Sequence, residues 1–130
     1  MKKNKKTIPF DFVLDELESV GPHTKPMFGA VGVYVENKIV FILRDRPTSP
    51  EDNGVWLATT IDHHKSLKKN FPNMRSIKIF GPGPTGWQIL PLDAEDFEES
   101  VLAACSLVLK NDIRIGKIPK MKIKKKSTKK

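Results

Sequence analysis

The stretch VGVYVENKIVFIL, residues 31–43, decides the fold class of this chain. Both of its arms are rich in β-branched and aromatic residues, which favour extended strands. The intervening pair Glu36-Asn37 suits a tight turn, because asparagine tolerates a positive φ. The stretch therefore predicts a β-hairpin, and with it an antiparallel sheet.

Three further strands and three helices are predicted from residue type and spacing. β-Branched and aromatic runs between turn-forming residues predict the strands, at 54–59, 76–80 and 87–90. Apolar residues at helical spacing or beside capping residues predict the helices, at 10–20, 63–70 and 93–111. Asp93 is expected to open the last helix, with Glu95 and Asp96 favourable near its positive end.

The resulting element order is α-β-β-β-α-β-β-α, which predicts the α+β class. Most links between strands are too short for a parallel crossover, so we expect two layers, an antiparallel five-stranded sheet with helices on one face. The other face is then exposed or paired with a second copy, as a homodimer. Residues 8–114 are expected to form this domain, between a basic tail at 1–7 and a lysine-rich, disordered tail at 115–130.

The net charge of +8 over 130 residues suggests nucleic-acid binding until it is divided by segment. Residues 1–6 hold four lysines and residues 117–130 hold eight, and neither segment holds an acid. Removing these 12 lysines leaves 11 basic residues against all 15 acids, so residues 7–116 carry about −4. Attraction to an anionic partner is therefore expected from the tails and not from the body.

Apolar runs and cysteine content indicate a cytoplasmic protein. No apolar run is long enough for a membrane-spanning helix, since the longest has about six residues. The basic N-terminus is followed by TIPFD, residues 7–11, where a secretory signal needs an apolar stretch. The lone Cys105 excludes an internal disulfide and fits a reducing compartment.

Two motifs give the chain a family resemblance. KPMFGAVGVY, residues 25–34, and ILP, residues 89–91, ahead of an acidic helix start, resemble the N-terminal domain of the TfoX family. The matching residues are Met27, Phe28, Gly29, Gly32, Tyr34 and Pro91. The resemblance covers roughly residues 8–112, as a single-domain relative in which a lysine tail stands in place of the regulators' second, helical domain.

This resemblance implies a two-layer fold ordered helix–three strands–helix–two strands–helix. It also implies a role in regulating natural competence, exerted through other regulatory proteins. Read from their chemistry, the motif residues are structural: Met27 and Phe28 fill the core beneath the first helix, and Gly29 supplies a bulge or a close backbone contact.

None of the chemically active residue types forms a convincing catalytic or metal-binding set. His63 and His64 are neighbours and point about 100° apart, so they do not share a helix face. Cys105 lies on an apolar stripe, and the turn at residues 81–86 loses two N–H donors to prolines. The acids Glu95, Asp96, Glu98 and Glu99 fit a solvated helix start. We therefore expect no enzyme, metal or cofactor; a ligand-binding protein would need a polar-lined pocket that sequence does not reveal.

The C-terminal lysines support the alternative function. They are Lys117, Lys120, Lys122, Lys124, Lys125, Lys126, Lys129 and Lys130. Such a tail can bind DNA or RNA without sequence preference, or an anionic surface, or serve only for solubility. The leading hypothesis is a non-enzymatic regulatory or protein-interaction module with an unidentified protein partner, and the alternative is a nucleic-acid accessory protein.

Overall fold

A computed structural model describes residues 8–27, 29–79, 81 and 86–118. The expected N-terminal tail, the motif residue Phe28 and the lysines from Lys120 to Lys130 lie outside the described residues, as does most of the turn at 81–86.

The described residues form one antiparallel six-stranded sheet, ordered β1-β2-β3-β4-β6-β5. The strands are β1 (His23–Met27), β2 (Ala30–Val35), β3 (Lys38–Arg44), β4 (Gly54–Leu57), β5 (Arg75–Ser76) and β6 (Gln88–Pro91). The α-helices are α1 (Phe12–Glu16), α2 (His64–Asn70) and α3 (Phe97–Leu109), and short 3-10 turns cover Glu18–Val20, Pro50–Asp52 and Ile61–His63. The predicted α+β class and antiparallel sheet are confirmed.

The central hairpin forms as predicted, but its turn does not use asparagine as expected. Strands β2 and β3 pair from Val35–Lys38 to Val31–Leu43, with a bulge between Val33 and Tyr34. The residue with positive φ is Glu36, at 57°. The turn therefore places the strained conformation one residue earlier than the sequence suggested.

The count of five strands is wrong, because β1 was missed. Its sequence HTKPM is polar and contains a proline, and four of its five residues are exposed. Strand β1 lies at the edge of the sheet, where lysine and proline are common because one side of the strand makes no ladder. An edge strand of this kind lacks the alternation by which strands are recognised.

The predicted strand at 76–80 is also wrong at residues 77–79, and residue 80 lies outside the described residues. Strand β5 contains only Arg75 and Ser76. The backbone N–H groups of Lys78 and Ile79 donate to the carboxylate of Asp52 instead of to a neighbouring strand. Because these N–H groups bond to the Asp52 carboxylate, the segment after Ser76 leaves the sheet and Ile77 packs over one of its faces.

The third helix begins later than predicted. Helix α3 starts at Phe97, and residues 93–96 form turns, so Asp93 does not open it. The side chain of Asp96 caps no helix N–H and accepts a hydrogen bond from Asn73 Nδ2 at 2.9 Å. Helix α3 ends as its sequence allows: Asn111 adopts φ 61°, and the N–H groups of Asn111 and Asp112 donate to the carbonyls of Val108 and Leu107. This is a Schellman-type cap.

The helices pack on one face of the sheet, which we call the helical face. Apolar side chains of α1, α2 and α3 form one buried cluster with strand residues that include Val33, Phe41 and Leu57. Helices α1 and α3 contact each other here, and Phe10 packs edge-on against Phe97 with ring centroids 5.3 Å apart.

The opposite side, which we call the second face, is not the open surface that the sequence predicted. Over Ile42, Trp56 and Ile89 it is fully buried. Ile77 and Trp87, from the segment between β5 and β6, pack against these residues, with the two tryptophan rings 5.9 Å apart. Among the described residues the sheet is therefore covered on both sides across its middle, and its second face is exposed at β1.

The folded domain extends beyond the predicted boundary at residue 114. Ile115 is buried in the cluster of the helical face. The N–H of Gly116 donates to Ala58 O at 2.7 Å, and Lys117 exchanges two backbone hydrogen bonds of 2.9 Å with Ile39. Lys117 forms an isolated antiparallel bridge with Ile39 of β3, at a position that β4 does not reach because its pairing with β3 stops at Phe41.

Candidate functional site

Three of the motif residues meet on the second face. Met27, Gly32 and Tyr34 belong to paired positions of β1 and β2. A Cβ atom on Gly32 would lie 3.3 Å from Tyr34 Cε1 and 3.4 Å from both Met27 Sδ and Ile39 Cδ1. Glycine at position 32 thus leaves room for three neighbouring side chains. Met27 packs here and not beneath α1, so its expected position in the helical core is wrong.

Gly29 makes the close backbone contact that was one of its two expected roles. It lies in the turn between β1 and β2 with φ 76°. Arg46 Nη1 donates to Gly29 O at 3.1 Å, and a Cβ atom on Gly29 would come within 2.7 Å of that nitrogen. The last motif residue, Pro91, ends β6 opposite Gly54.

The long connection between β3 and β4 is built around a buried guanidinium. Arg44 is only 2% exposed and donates to Thr48 O, Ser49 O and Asn53 Oδ1 at 2.8–3.0 Å. The Asn53 amide also pairs with the backbone N–H and carbonyl of Arg46, both at 2.8 Å. Because buried charge must be satisfied by hydrogen bonds, these contacts hold the loop in one conformation.

Asp52 is the most buried ionisable residue in this network. Its carboxylate is fully buried and accepts the N–H groups of Lys78 and Ile79, the latter at 2.7 Å. Arg75 Nη1 lies 3.4 Å from the same carboxylate, and Trp56 Nε1 donates to the Asp52 carbonyl at 3.0 Å. Sequence gave no signal for this residue, since a carboxylate in a polar loop is ordinarily exposed.

An open groove of about 400 Å³ lies where helix α3 ends beside the β2–β3 turn. We call it the α3 groove. Its aliphatic lining residues are Val20, Val35, Val40, Val108, Leu109 and Ile115. Its polar lining residues are Ser19, Glu36, Lys38, Asn111 and Asp112. Sequence reasoning missed this site because its residues come from four separate segments.

Exposed apolar side chains flank the α3 groove. Ile113 is 80% exposed and Leu109 is 40% exposed. Ile113 is held between two fixed neighbours, because Arg114 makes a two-pronged pair with the Asp112 carboxylate, both bonds at 2.9 Å. Arg114 Nη1 also donates to Ser66 Oγ and Asn70 Oδ1 of α2. The turn that presents Ile113 is thereby tied to a helix.

The hydrogen bonds from Arg114 perturb the titration of Asp112. The Arg114 side chain is the main cause, with a smaller contribution from its backbone N–H, and together they lower the pKa of Asp112 to about 2. The same hydrogen bond raises the pKa of Arg114. The pair is therefore ionised throughout the physiological range.

The cysteine, histidine and acidic residues considered as catalytic candidates lie in the core, contact backbone or face solvent, and they do not form a catalytic set among the described residues. Cys105 is buried, and burial first, then the charge of Glu16, raises the pKa of its thiol to about 12. His64 Nε2 lies 3.3 Å from the carbonyl of Gly86. Glu95, Glu98 and Glu99 are exposed at the surface near the start of α3. Across the described ranges, no three His, Cys, Asp or Glu residues are grouped as metal ligands would be.

Of the C-terminal lysines, Lys117 is the one that the structure describes. Its backbone is fixed by the two hydrogen bonds to Ile39, and its side chain is exposed. Ile39 is paired on its other side with Tyr34, which is paired with His23 of β1. His23 stacks on Tyr34 with ring centroids 5.4 Å apart, and Lys25 Nζ lies 4.9 Å from the centre of the Tyr34 ring.

Comparisons with protein-family models, curated proteins and solved structures find no match to this chain. Within the part of the chain that the structure describes, no helix has the length and apolar character needed to cross a membrane.

Proposed function

We propose that this chain is a non-enzymatic protein-interaction module that docks a partner protein at the α3 groove. The observation that carries the proposal is that this groove lies beside Ile113, an isoleucine whose side chain is 80% exposed. Exposed apolar side chains next to a concave, apolar-walled site are typical of protein interfaces, whose energy is concentrated in a few anchors that fill pockets.

The lining of the α3 groove suits one apolar anchor side chain of the partner. Six aliphatic residues form its walls, so an inserted leucine, methionine or phenylalanine would exchange water for apolar contacts. Burying such a side chain is worth roughly 1.5–3 kcal/mol, enough to contribute an interface hot spot. Leu109, which lines the groove and is partly exposed, extends the apolar surface towards Ile113.

The polar residues of the groove supply orientation. Lys38 Nζ donates to Asn111 Oδ1 at 3.3 Å, and Glu36 lies in the same turn region. The groove therefore offers both a positive and a negative side chain. These can bond to the polar backbone and side-chain groups that surround the apolar anchor of a partner protein. Because Arg114 already neutralises Asp112, that carboxylate adds little net charge to the rim.

The resemblance to the TfoX N-terminal domain supports a regulatory role for this interaction. We place the module in the cytoplasm, acting through a regulatory partner of the kind associated with natural competence. The buried, unreactive Cys105 thiol is in keeping with both a reducing compartment and a non-catalytic role.

A capture experiment with matched surface variants tests this function. Full-length protein, Ile113→Asp and the control Ile61→Asp are immobilised and exposed to an extract of the source cells. Ile61 is 58% exposed and precedes α2, away from the groove lining, so it controls for loss of an exposed isoleucine. We expect the same protein to bind the wild type and Ile61→Asp and to be lost with Ile113→Asp. Binding that is equal for all three, or absent from all, would refute the proposal.

A further inference from the structure

Acidic residues are concentrated at α1 and α3 and are absent from the described strands. None of the six strands in the described part contains an aspartate or glutamate, whereas the strands carry Lys25, Lys38, Arg44 and Arg75. The segments 11–18 and 93–99, which contain or precede the packed helices α1 and α3, hold four and five acids and no lysine or arginine. The net charge of about −4 therefore combines acidic segments at α1 and α3 with basic strands, while α2 carries Lys65, Lys68 and Lys69 and no acid.

Part of that basic charge is gathered around an aromatic ring on the open part of the second face. His23 and Lys25 alternate along β1, so both project to the face that carries their partners Tyr34 and Gly32. His23 stacks on the Tyr34 ring with an interplanar angle of 13°, and Lys25 Nζ lies over the same ring. Both β1 residues are exposed while Tyr34 is almost buried, so the outer surface of the stack is the His23 ring.

Lys117 extends this surface across the sheet. Ile39 is paired with Tyr34 on one side and with Lys117 on the other, and directly paired residues project to the same face. Lys117 Nζ lies 3.8 Å from where a Cβ on Gly86 would stand, next to Trp87 of the second face. His23, Lys25, Tyr34 and Lys117 thus form one surface, which we call the basic face. Seven more lysines follow it between residues 120 and 130.

We propose that the basic face binds single-stranded nucleic acid without sequence preference, a function beyond the protein docking proposed above. Lys25 and Lys117 contact phosphates, and the exposed ring of His23 stacks with a base. Ammonium groups beside an aromatic ring are the combination by which proteins hold single strands. An anionic lipid surface needs only the charges and leaves the stacked ring without a role.

The test measures binding of the full-length protein to a labelled oligothymidylate across a salt series. The variant Lys25→Gln/Lys117→Gln is compared with Lys69→Gln/Lys110→Gln, which removes the same charge from exposed positions on α2 and after α3. Each lost phosphate contact makes the negative log–log salt slope shallower by about 0.7 for single strands, so we expect it to become shallower by about 1.4 for the first variant and to stay unchanged for the second. Equal changes in the two variants, or no binding by the wild type, would overturn the proposal.

Two further arms separate nucleic acid from other polyanions. His23→Ala is expected to weaken oligothymidylate binding by about fivefold or more, since stacking of one base is worth about 1–3 kcal/mol, and to leave inorganic polyphosphate binding unchanged. Duplex DNA is expected to bind more weakly than the single strand because its bases are already stacked. Equal effects of His23→Ala on both ligands, tighter duplex binding, or tighter binding to phosphatidylserine-containing vesicles would contradict the assignment.

Discussion

The backbone N–H of Ile79 donates a 2.7 Å hydrogen bond to the buried carboxylate of Asp52. This contact joins the loop after β3 to the segment after β5, which are distant in sequence. It ends β5 after two residues and brings Ile77 over the second face, where it is buried with Trp56. One carboxylate therefore holds the segment after β5 over the second face.

Removing the Asp52 carboxylate is expected to destabilise the protein strongly. Asp52→Ala leaves the partly buried N–H groups of Lys78 and Ile79 and the Arg75 guanidinium without this acceptor, and should lower the free energy of unfolding by about 3 kcal/mol, with a smaller loss for Asp52→Asn. Urea unfolding followed by tryptophan fluorescence measures both, since Trp56 is buried beneath Ile77 of this segment and Trp87 belongs to the segment and packs against Trp56. Exposed Asp45 provides the control, and its alanine variant should stay within about 0.5 kcal/mol of wild type. A similarly small effect at Asp52 would show that the clamp is dispensable.

Two glycines with positive φ are expected to differ in their tolerance of alanine. At Gly54 (φ 144°) a Cβ atom would lie 2.3 Å from the Leu90 carbonyl oxygen, so Gly54→Ala must disrupt the β4–β6 pairing. We expect a loss of about 3 kcal/mol or more. At Gly21 (φ 64°) no atom lies within 4 Å, so Gly21→Ala should cost only about 1 kcal/mol of conformational strain. Denaturant midpoints compare the two, and equal losses would contradict the close approach at Gly54.

Cys105 is expected to be unreactive in the folded protein. Because burial raises the pKa of its thiol to about 12, the thiolate that attacks disulfide reagents is scarce near neutral pH, and access is blocked as well. Labelling with a chromogenic disulfide should therefore be slow without denaturant and should accelerate with the fraction unfolded. Rapid labelling of the native protein would place this thiol at the surface.

The Asp112–Arg114 pair is expected to add acid-sensitive stability. The folded-state pKa of Asp112, about 2, lies below its ordinary value of 3.8, so the contribution is fully present above about pH 4 and is lost as the pH falls towards 2. Both side chains are about 20% exposed, so solvent screening limits the contribution to about 1 kcal/mol. Asp112→Asn should be less stable than wild type by this amount at pH 6, and the difference should narrow below pH 4. A difference that is independent of pH would assign the loss to packing and not to charge.

Local sequence patterns correctly predicted those strands and helices whose formation depends on their own residues and not on distant contacts. The β2–β3 hairpin and the body of α3 follow from β-branched runs and helical spacing, because burial on a known face imposes those periods. Strand β1 was missed because an exposed edge imposes no period. Residues 77–80 have strand-like residues, but a tertiary hydrogen bond to Asp52 removes at least Lys78 and Ile79 from the ladder.

The candidate sites could be predicted only in part, for a related reason. Lys117 was singled out from its charge, yet its position on the sheet depends on a backbone pairing with Ile39 across 78 residues of chain. The α3 groove combines residues from α3, its cap, the β2–β3 hairpin and the turn after α1. No spacing rule connects these segments, because only the packed fold brings them together.

The most direct test of the docking claim is photo-crosslinking inside the source cells, with a photoreactive amino acid replacing Ile113 or, as the control, Ile61. We expect a discrete, protease-sensitive and nuclease-resistant adduct from position 113 that weakens when Leu109→Asp is added, and no such adduct from position 61. No adduct from position 113, or adducts of equal strength from both positions, would contradict it.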